Sequence, residues 1–300
     1  WNPGGVFTPP EGAAVWIECL SASPGLENYD GPGNKMENPP RPYAPIFGTA
    51  GSSMKWSWYG RMAHNAFAIR NPALPQFASF DTAFHAGQPK VATTYALPAQ
   101  LRARGIRRYG FHGLSYASLV ATLGDSLPER LLAFHLGAGV SLCAIHNGKS
   151  VATSMGYSPL SGPTMATRAG DIDAAAVLRL AAEDGIAATE SNLNHRSGLL
   201  GLSGISGDMQ TLLADPSPDA AFAVDHFCYW IARQAGSLIA AMGGVDGFAF
   251  TGGIGENSAL IRDRIIGHLS WLGPKPVHVV PAQEERQIAR DALSILVGQA

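Results

Sequence analysis

Three ionisable side chains in this sequence stand beside aromatic residues or glycines. They are Asp81 in "FDTAFH" (Phe80 to His85), His112 in "RRYGFHG" (Arg107 to Gly113) and Arg168 in "MATRAGDID" (Met165 to Asp173). Phosphoryl transfer asks for this set: cations around the transferring group, and carboxylates that hold a divalent metal. Each residue also has a plain structural reading. Asp81 would be a strand-end cap, His112 a satisfied buried histidine and Arg168 half of a surface ion pair. Spacing along the chain does not say whether they converge.

Two glycine-rich stretches accompany them. "HLGAGVS" (His135 to Ser141) sets Gly137, Ala138 and Gly139 between apolar runs, as a hairpin tip whose bare N–H groups suit phosphate oxygens. "FAFTGGIGENSALIRDRI" (Phe248 to Ile265) runs a strand into clustered glycines and then a helix capped by Asn257 or Ser258. Bare backbone there lets a ligand approach the main chain closely. Alone, the first is also an ordinary three-residue loop and the second a tight strand-to-helix turn. Together they offer two strand ends able to clamp one nucleotide.

The elements that would position these groups are legible from Pro75 onward. "PQFASF" predicts a short strand ending at Asp81. "LLAFHL", "VSLCAIH" and "KSVATS" predict three strands, the last two joined through Asn147-Gly148, a strong hairpin signal. Helices are predicted over Asp171 to Ala182 and over Asp219 to Ala241, the second stopped by Gly243 and Gly244. "GFAFTGG" and "PVHVVP" are further strands, with helices over "SALIRDRIIGHLSWL" and "EERQIARDALSIL". A β-meander followed by alternating strands and helices implies mixed α/β layers.

Composition sets the outer bounds. Three hundred residues at 46% hydrophobic can bury a substantial core. A formal charge of −2 and a pI near 6.5 give no electrostatic footprint for nucleic acid or a membrane surface. The three cysteines, Cys19, Cys143 and Cys228, form no CxxC pair, which suits a reducing compartment. The chain starts at Trp1 with no charged-then-apolar leader, so a cytoplasmic protein is expected. Ala220 to Ala241 is the most apolar long segment, yet it carries Asp225, His226, Arg233 and Gln234; it is expected as a buried helix, not a membrane span. Residues 1–62 stand apart. Proline plus glycine make up 18 of them and four of the six tryptophans fall there, so an irregular, hydrophobic cap is expected.

Taken in order, "FDTAFH", "RRYGFHG", "HLGAGVS", "TSMGYSPLSG", "TRAGDID", "SGLLGLSG", "AMGGVDGFAFTGGIGEN" and "EERQIARDA" resemble the motifs of the acetate kinase family over roughly residues 63 to 300. The resemblance implies an α/β, actin-like (ribonuclease H-like) ATPase fold, with two domains around a nucleotide cleft. It implies reversible, Mg²⁺-dependent transfer of phosphoryl from ATP to acetate or propionate, giving ADP and an acyl phosphate, in a cytoplasmic homodimer. By the same resemblance Asp81, His112 and Arg168 are catalytic. His135, Leu136, Gly137, Ala138 and Gly139, with Asp208, Met209 and Gln210, and with Gly253, Ile254, Gly255, Glu256 and Asn257, are the three ATP segments. Phe111 and Pro159 border the acyl pocket, and Glu284 is the Mg²⁺ carboxylate.

One role is adjusted by chemistry. A carboxylate substrate with a pKa of about 4 is already ionised at neutral pH and needs no base. Asp81 is therefore expected to hold a metal-bound water or to orient the nucleophile. The chain also departs from the family pattern. The nearest thing to its Asn-x-Gly-Ser-Ser-Ser-x-Lys phosphate loop is Thr49 to Trp56, which contains Lys55 but lacks the Asn. The segment supplying the substrate arginine is missing, leaving Arg41, Arg61 and Arg70 as candidates. Ala138 and Gln210 stand where the family has Asn and Arg. The alternative is thus a catalytically impaired nucleotide-binding member whose first domain is incomplete. Residues 1–86 with 285–300 are expected as the first domain and 87–284 as the nucleotide-binding and dimerisation domain. The aromatic residues Phe222, Phe227, Tyr229 and Trp230 exceed what one helix face buries, which also points to a dimer.

Overall fold

A computed structural model describes residues 79–297, together with the backbone of Cys19 and Leu20. Thr49 to Trp56, Arg41, Arg61, Arg70 and the irregular opening lie outside the described residues. Strand β1 (Cys19–Leu20) pairs in parallel with β2 (Ser79–Phe80), which leads directly into Asp81. Two one-turn helices, α1 (Lys90–Thr93) and α2 (Ala99–Arg102), precede α3 (Gly113–Leu123).

The centre is a five-stranded sheet. Strands β3 (Arg130–Leu136), β4 (Val140–His146) and β5 (Lys149–Thr153) form an antiparallel meander, with register Phe134 against Leu142 and His135 against Ser141. The turn between β4 and β5 has positive φ at both Asn147 (49°) and Gly148 (75°), the conformation that matches strand twist and that Asn-Gly tolerates. After a helical excursion the chain returns as β6 (Gly247–Thr251), parallel to β3, and β7 (Val277–Val279), parallel to β6. The excursion holds α4 (Ala174–Asp184), α5 (Ile186–His195), α6 (Gly198–Ser203), α7 (Met209–Ala214) and α8 (Pro218–Met242). Beyond β6 come α9 (Gly252–Asn257), α10 (Ala259–His268) and, after β7, α11 (Glu284–Leu296).

The strands read as continuous apolar runs because both sheet faces are covered. Leu132, Phe134, Leu142, Phe248 and Phe250 pack with the buried stripe of α8 (Ala223, Phe227, Ile231, Ala235). Leu131, Ala133, Cys143, Ile145 and Ala249 pack with Tyr116 and Leu119 of α3 on the other face. Each buried Leu, Ile or Phe among them contributes about 1.5–3 kcal/mol. Helix α8 is bounded as its sequence suggests: Ser217 caps it, Pro218 opens it and Gly243 closes it at φ 75°. Helix α11 lies against α3, with Ile288 and Ala292 buried. No helix among the described residues is long and apolar enough to cross a membrane.

Two expected boundaries move. Helix α4 begins at Ala174, because the Asp171 carboxylate is taken by Ser161 Oγ, the Gly162 N–H and Gln234, leaving Asp173 as the cap. The glycine cluster after β6 is not a loop: α9 starts at Gly252 itself, and Ser258 caps the separate α10. That second helix stops at His268; Ser270–Leu272 form a single tight turn, closed by Gly273 at φ 70°.

Candidate active site

Asp81 ends β2 and satisfies the exposed start of α3. Its Oδ2 accepts the His112 N–H at 2.7 Å and its Oδ1 the Leu114 N–H at 3.3 Å, while its backbone carbonyl accepts from Gly113 at 2.8 Å. Its capping role is therefore real, but the helix it caps is α3, which begins at Gly113, far along the chain. A Cβ at Gly113 would collide with that same carbonyl, so only glycine fits. The preceding carbonyl, Phe111 O, accepts from His85 Nε2 at 3.0 Å. His112 is thereby pinned from both sides in a left-handed conformation, φ 57°, that non-glycine residues seldom adopt.

The His112 ring stacks on that of His135, with centroids 4.0 Å apart and planes 21° from parallel. His112 Nδ1 lies 2.9 Å from Ser141 Oγ, and His135 Nδ1 lies 2.8 Å from Ser115 Oγ. Burial, followed by the charge of Arg168, pushes the His112 pKa down to about 3. Burial, with His112 next in effect, holds His135 well below the usual imidazole range, and burial takes His85 down to about 4. All three imidazoles are neutral at physiological pH.

Arg168 is half-buried, and among the described residues its Nη1 donates to Pro159 O at 3.3 Å and to Met165 Sδ at 3.6 Å. It has no carboxylate partner among the described residues, which removes the surface ion-pair reading. Desolvation lowers its pKa, a sign of a cation held without its counter-charge. Gly139 lies between these groups. A Cβ there would stand 3.1 Å from His112 Nε2 and 3.4 Å from Arg168 Nη1. The structure thus brings His112, Arg168 and the hairpin glycine together, which spacing could not establish.

The rest of the hairpin tip is open. Ala138 is exposed and has no positive φ, so alanine sits there without strain; its carbonyl accepts from the Ala166 N–H at 3.1 Å. Leu136 is fully buried in the core, and Gly137 N–H donates to Gly139 O at 3.0 Å. In the second glycine cluster, Gly252 is dictated by the fold: φ is 79° and a Cβ would stand 2.8 Å from Leu136 O. Gly253 is exposed with nothing within 4 Å of a Cβ, and a Cβ at Gly255 would make only ordinary contacts, 3.6 Å from Leu136. Glu256 is engaged internally, with Oε1 accepting the N–H groups of Gly252 and Ala282 at 2.9 Å each. Asn257 donates to Gly253 O, and Ile254 packs partly on the core.

In the remaining ATP segment, Asp208 caps α7 by accepting from Thr211, Met209 is buried, and Gln210 is exposed. Phe111 is buried in the core beside His112, so it can form only the back of a pocket; Pro159, half-exposed, presents its carbonyl to Arg168. Glu284, at the start of α11, has its pKa raised to about 7 by burial first, then by the charges of Asp81 and Glu285. No group of three metal-ligating side chains occurs among the described residues. A pair of mutually repelling acids nevertheless fits Mg²⁺, which is commonly held by one or two carboxylates while substrate phosphates and water complete its shell.

Sequence inspection missed Ser115 and Ser141, which hold the two stacked rings, Tyr116, which bonds Ser141, and His85, which bonds the Phe111 carbonyl before His112. The one available signal was polar residues inside apolar runs, as in "VSLCAIH".

Comparison with known proteins decides the lineage. The sequence profile of the acetokinase family matches residues 63–291. The chain belongs to the acetokinase family. It is 44% identical over 255 residues to an acetate kinase of Nitrobacter hamburgensis, covering 76% of this chain and 63% of that one. It is 48% identical over 222 residues to an acetate kinase of Rhodopseudomonas palustris, covering 70% and 56%. Among solved structures, Porphyromonas gingivalis acetate kinase superposes with a TM-score of 0.73 at 33% identity, over 78% of this chain and 67% of that one. A propionate kinase from Francisella tularensis gives 0.72 at 33% identity, over 77% and 67%. The fold is the actin-like ATPase fold of these acetokinase-family enzymes. The chain spans about three-fifths of the length of the curated relatives it matches.

Proposed function

We propose that this protein transfers the terminal phosphoryl group of ATP to acetate or propionate, reversibly, yielding ADP and an acyl phosphate. The observation that carries the reading is Arg168: a half-buried guanidinium with no carboxylate partner among the described residues, beside the His112 imidazole and against bare backbone at Gly139. Such a site lacks an anion, and a phosphoryl group in transfer supplies one with charge spread over its oxygens. The family to which the chain belongs, and the acetate and propionate kinases it resembles, point the same way.

In this mechanism a carboxylate oxygen of the substrate attacks the γ-phosphorus as the bond to the β,γ-bridging oxygen of ATP breaks; the electron pair leaves with ADP. The substrate is ionised already, so no proton need be removed. Arg168 neutralises charge on the transferring group, and His112, neutral, contributes a hydrogen bond rather than a charge. Asp81 and Glu284 would hold Mg²⁺, which neutralises phosphate charge when bound. Gly137 to Gly139 and Gly253 offer the nucleotide unobstructed backbone.

Homodimerisation accompanies this proposal. Phe222 and Tyr229 on α8 are 57% and 53% exposed, whereas Phe227 between them is buried. The division into residues 1–86 with 285–300 and residues 87–284 belongs to the same proposal; the hydrogen bond from Ser79 Oγ to Asp291 of α11 at 3.5 Å speaks for it, whereas the packing of α11 on α3 ties that helix to residues 87–284. A cytoplasmic setting is in keeping with Cys143 and Cys228, both buried and free.

The test is trapping of acyl phosphate with hydroxylamine, alongside ADP release, with acetate, with propionate and without acceptor. Acyl hydroxamate that depends on acceptor, ATP and Mg²⁺ is expected. ADP release without any acyl product would refute the proposal. The impaired alternative is favoured by exposed Ala138, which brings no polar group to the hairpin tip; it predicts ATP binding without acyl product.

A further inference from the structure

The imidazole of His112 has two ring nitrogens, and only Nε2 faces the hairpin glycine Gly139. Nε2 is the atom nearest the position of a Cβ on Gly139, while Nδ1 points inward to Ser141 Oγ at 2.9 Å. Ser141 Oγ also meets the Tyr116 hydroxyl. Ser141 and Tyr116 are both 0% exposed, so every proton in this chain must find its acceptor inside the protein.

That requirement fixes the direction of the chain. The Tyr116 hydroxyl has Ser141 Oγ as its one acceptor among the described residues, since the backbone N–H of His135, which also faces the phenol oxygen, is itself a donor. Tyr116 therefore donates to Ser141. The Ser141 proton then has one acceptor left, His112 Nδ1. Were Nδ1 protonated, it would also donate to Ser141 and leave the serine proton buried without a partner, at a cost of about 1–3 kcal/mol. A neutral histidine whose Nδ1 accepts carries its proton on Nε2.

We propose that Tyr116 and Ser141 are positioning residues: the relay Tyr116 O–H to Ser141 O–H to His112 Nδ1 locks the tautomer that aims an Nε2–H at the phosphoryl group beside Arg168. The stacked His135 ring holds the plane of the donor, and Asp81 and His85 hold its backbone. As a description of catalysis this rests on the proposed phosphotransfer, but the tautomer itself does not.

The experiment is nitrogen NMR on the full chain labelled with ¹⁵N-histidine, with the His112 signals identified by their absence in His112→Gln. The wild-type protein is expected to show a proton on Nε2 and a bare, hydrogen-bonded Nδ1. Tyr116→Phe, which keeps the ring, is expected to give a mixture of tautomers. It should also lower kcat for acyl phosphate formation about tenfold, with KM for both substrates nearly unchanged. Ser141→Ala is expected to lose about a hundredfold, and Ser141→Thr, which keeps the hydroxyl, to regain most of it. A wild-type His112 protonated on Nδ1 would overturn the proposal without any variant. So would a folded Tyr116→Phe protein with unchanged tautomer and kcat. The wild-type tautomer as stated, with no acyl phosphate formed, would leave the relay standing and defeat only the assigned reaction.

Discussion

His112 and His135 lie face to face beside the Gly137–Gly139 hairpin tip, 4.0 Å between ring centroids, His135 buried and His112 partly so. Among the described residues neither ring is hydrogen-bonded to a carboxylate; each is bonded to a serine instead. Two imidazoles that close cannot both be charged, and burial makes even one charge costly.

Acid should therefore destabilise the fold early. The folded pKa values of His85 and His112 are depressed, to about 4 and about 3, so the unfolded chain binds more protons as pH falls. Their stabilising contribution is full above the unfolded value near 6.5 and is lost as pH falls from there towards the folded values. His85 alone represents on the order of 3 kcal/mol by pH 4. Denaturant midpoints measured from pH 7.5 to pH 5 should drop steeply, and His85→Gln should flatten that slope. A midpoint independent of pH over this range would contradict the buried, neutral assignment.

Arg168→Met separates catalysis from stability. The guanidinium is partly desolvated and has no carboxylate partner among the described residues, so its removal should leave the thermal midpoint unchanged or higher. Loss of one charge-stabilising group should cost kcat about 10²–10³-fold. A fall in both stability and rate would show that Arg168 is structural.

Glu284 makes the converse case. Its folded pKa is raised to about 7, so its contribution is favourable below the unfolded value near 4.5 and is lost as pH rises through 7. Glu284→Gln should stabilise the metal-free protein at pH 8, by about 1 kcal/mol once solvent screening of this partly exposed group is discounted. Mg²⁺ should raise the melting temperature of the wild type and not of the variant. Equal response of both proteins to Mg²⁺ would remove Glu284 from the metal site.

The glycines after β6 divide into two kinds. Gly252→Ala should destabilise by about 1–3 kcal/mol, because φ is 79° and the Cβ would meet Leu136 O. Gly253→Val should fold nearly normally, since nothing lies within 4 Å, yet should weaken ATP binding more than tenfold by filling the approach to the main chain. Calorimetry with Mg²⁺-ATP reads the second effect and thermal melting the first. Undiminished affinity in Gly253→Val would make this glycine an ordinary helix residue.

At the hairpin, Ala138→Asn should raise the rate of transfer without changing stability. The position is exposed, free of positive φ, and open to a longer side chain. Single-turnover kinetics on saturating ATP would show the change, and an unaltered rate would mean that an amide at this tip does no work.

The sequence by itself determined the sheet and the lineage. Apolar runs such as "LLAFHL", the Asn147-Gly148 turn and the Gly243 end of α8 are local signals, set by burial and φ preference. They survived folding because tertiary packing agrees with them. Motif order carried the family, since it needs no geometry. What tertiary structure decided is how residues far apart in the chain share protons and charge. Asp171 was drawn into a loop by Ser161, Gly162 and Gln234, which moved the start of α4 to Ala174. Glu256, which local sequence would offer to a ligand, was taken by Gly252 and Ala282. Asp81 reached His112, and Ser141 reached both His112 and Tyr116, across separations that no periodicity records. Hydrogen bonds and desolvation depend on distances between elements, and those distances exist only once β3, β4 and α3 have packed.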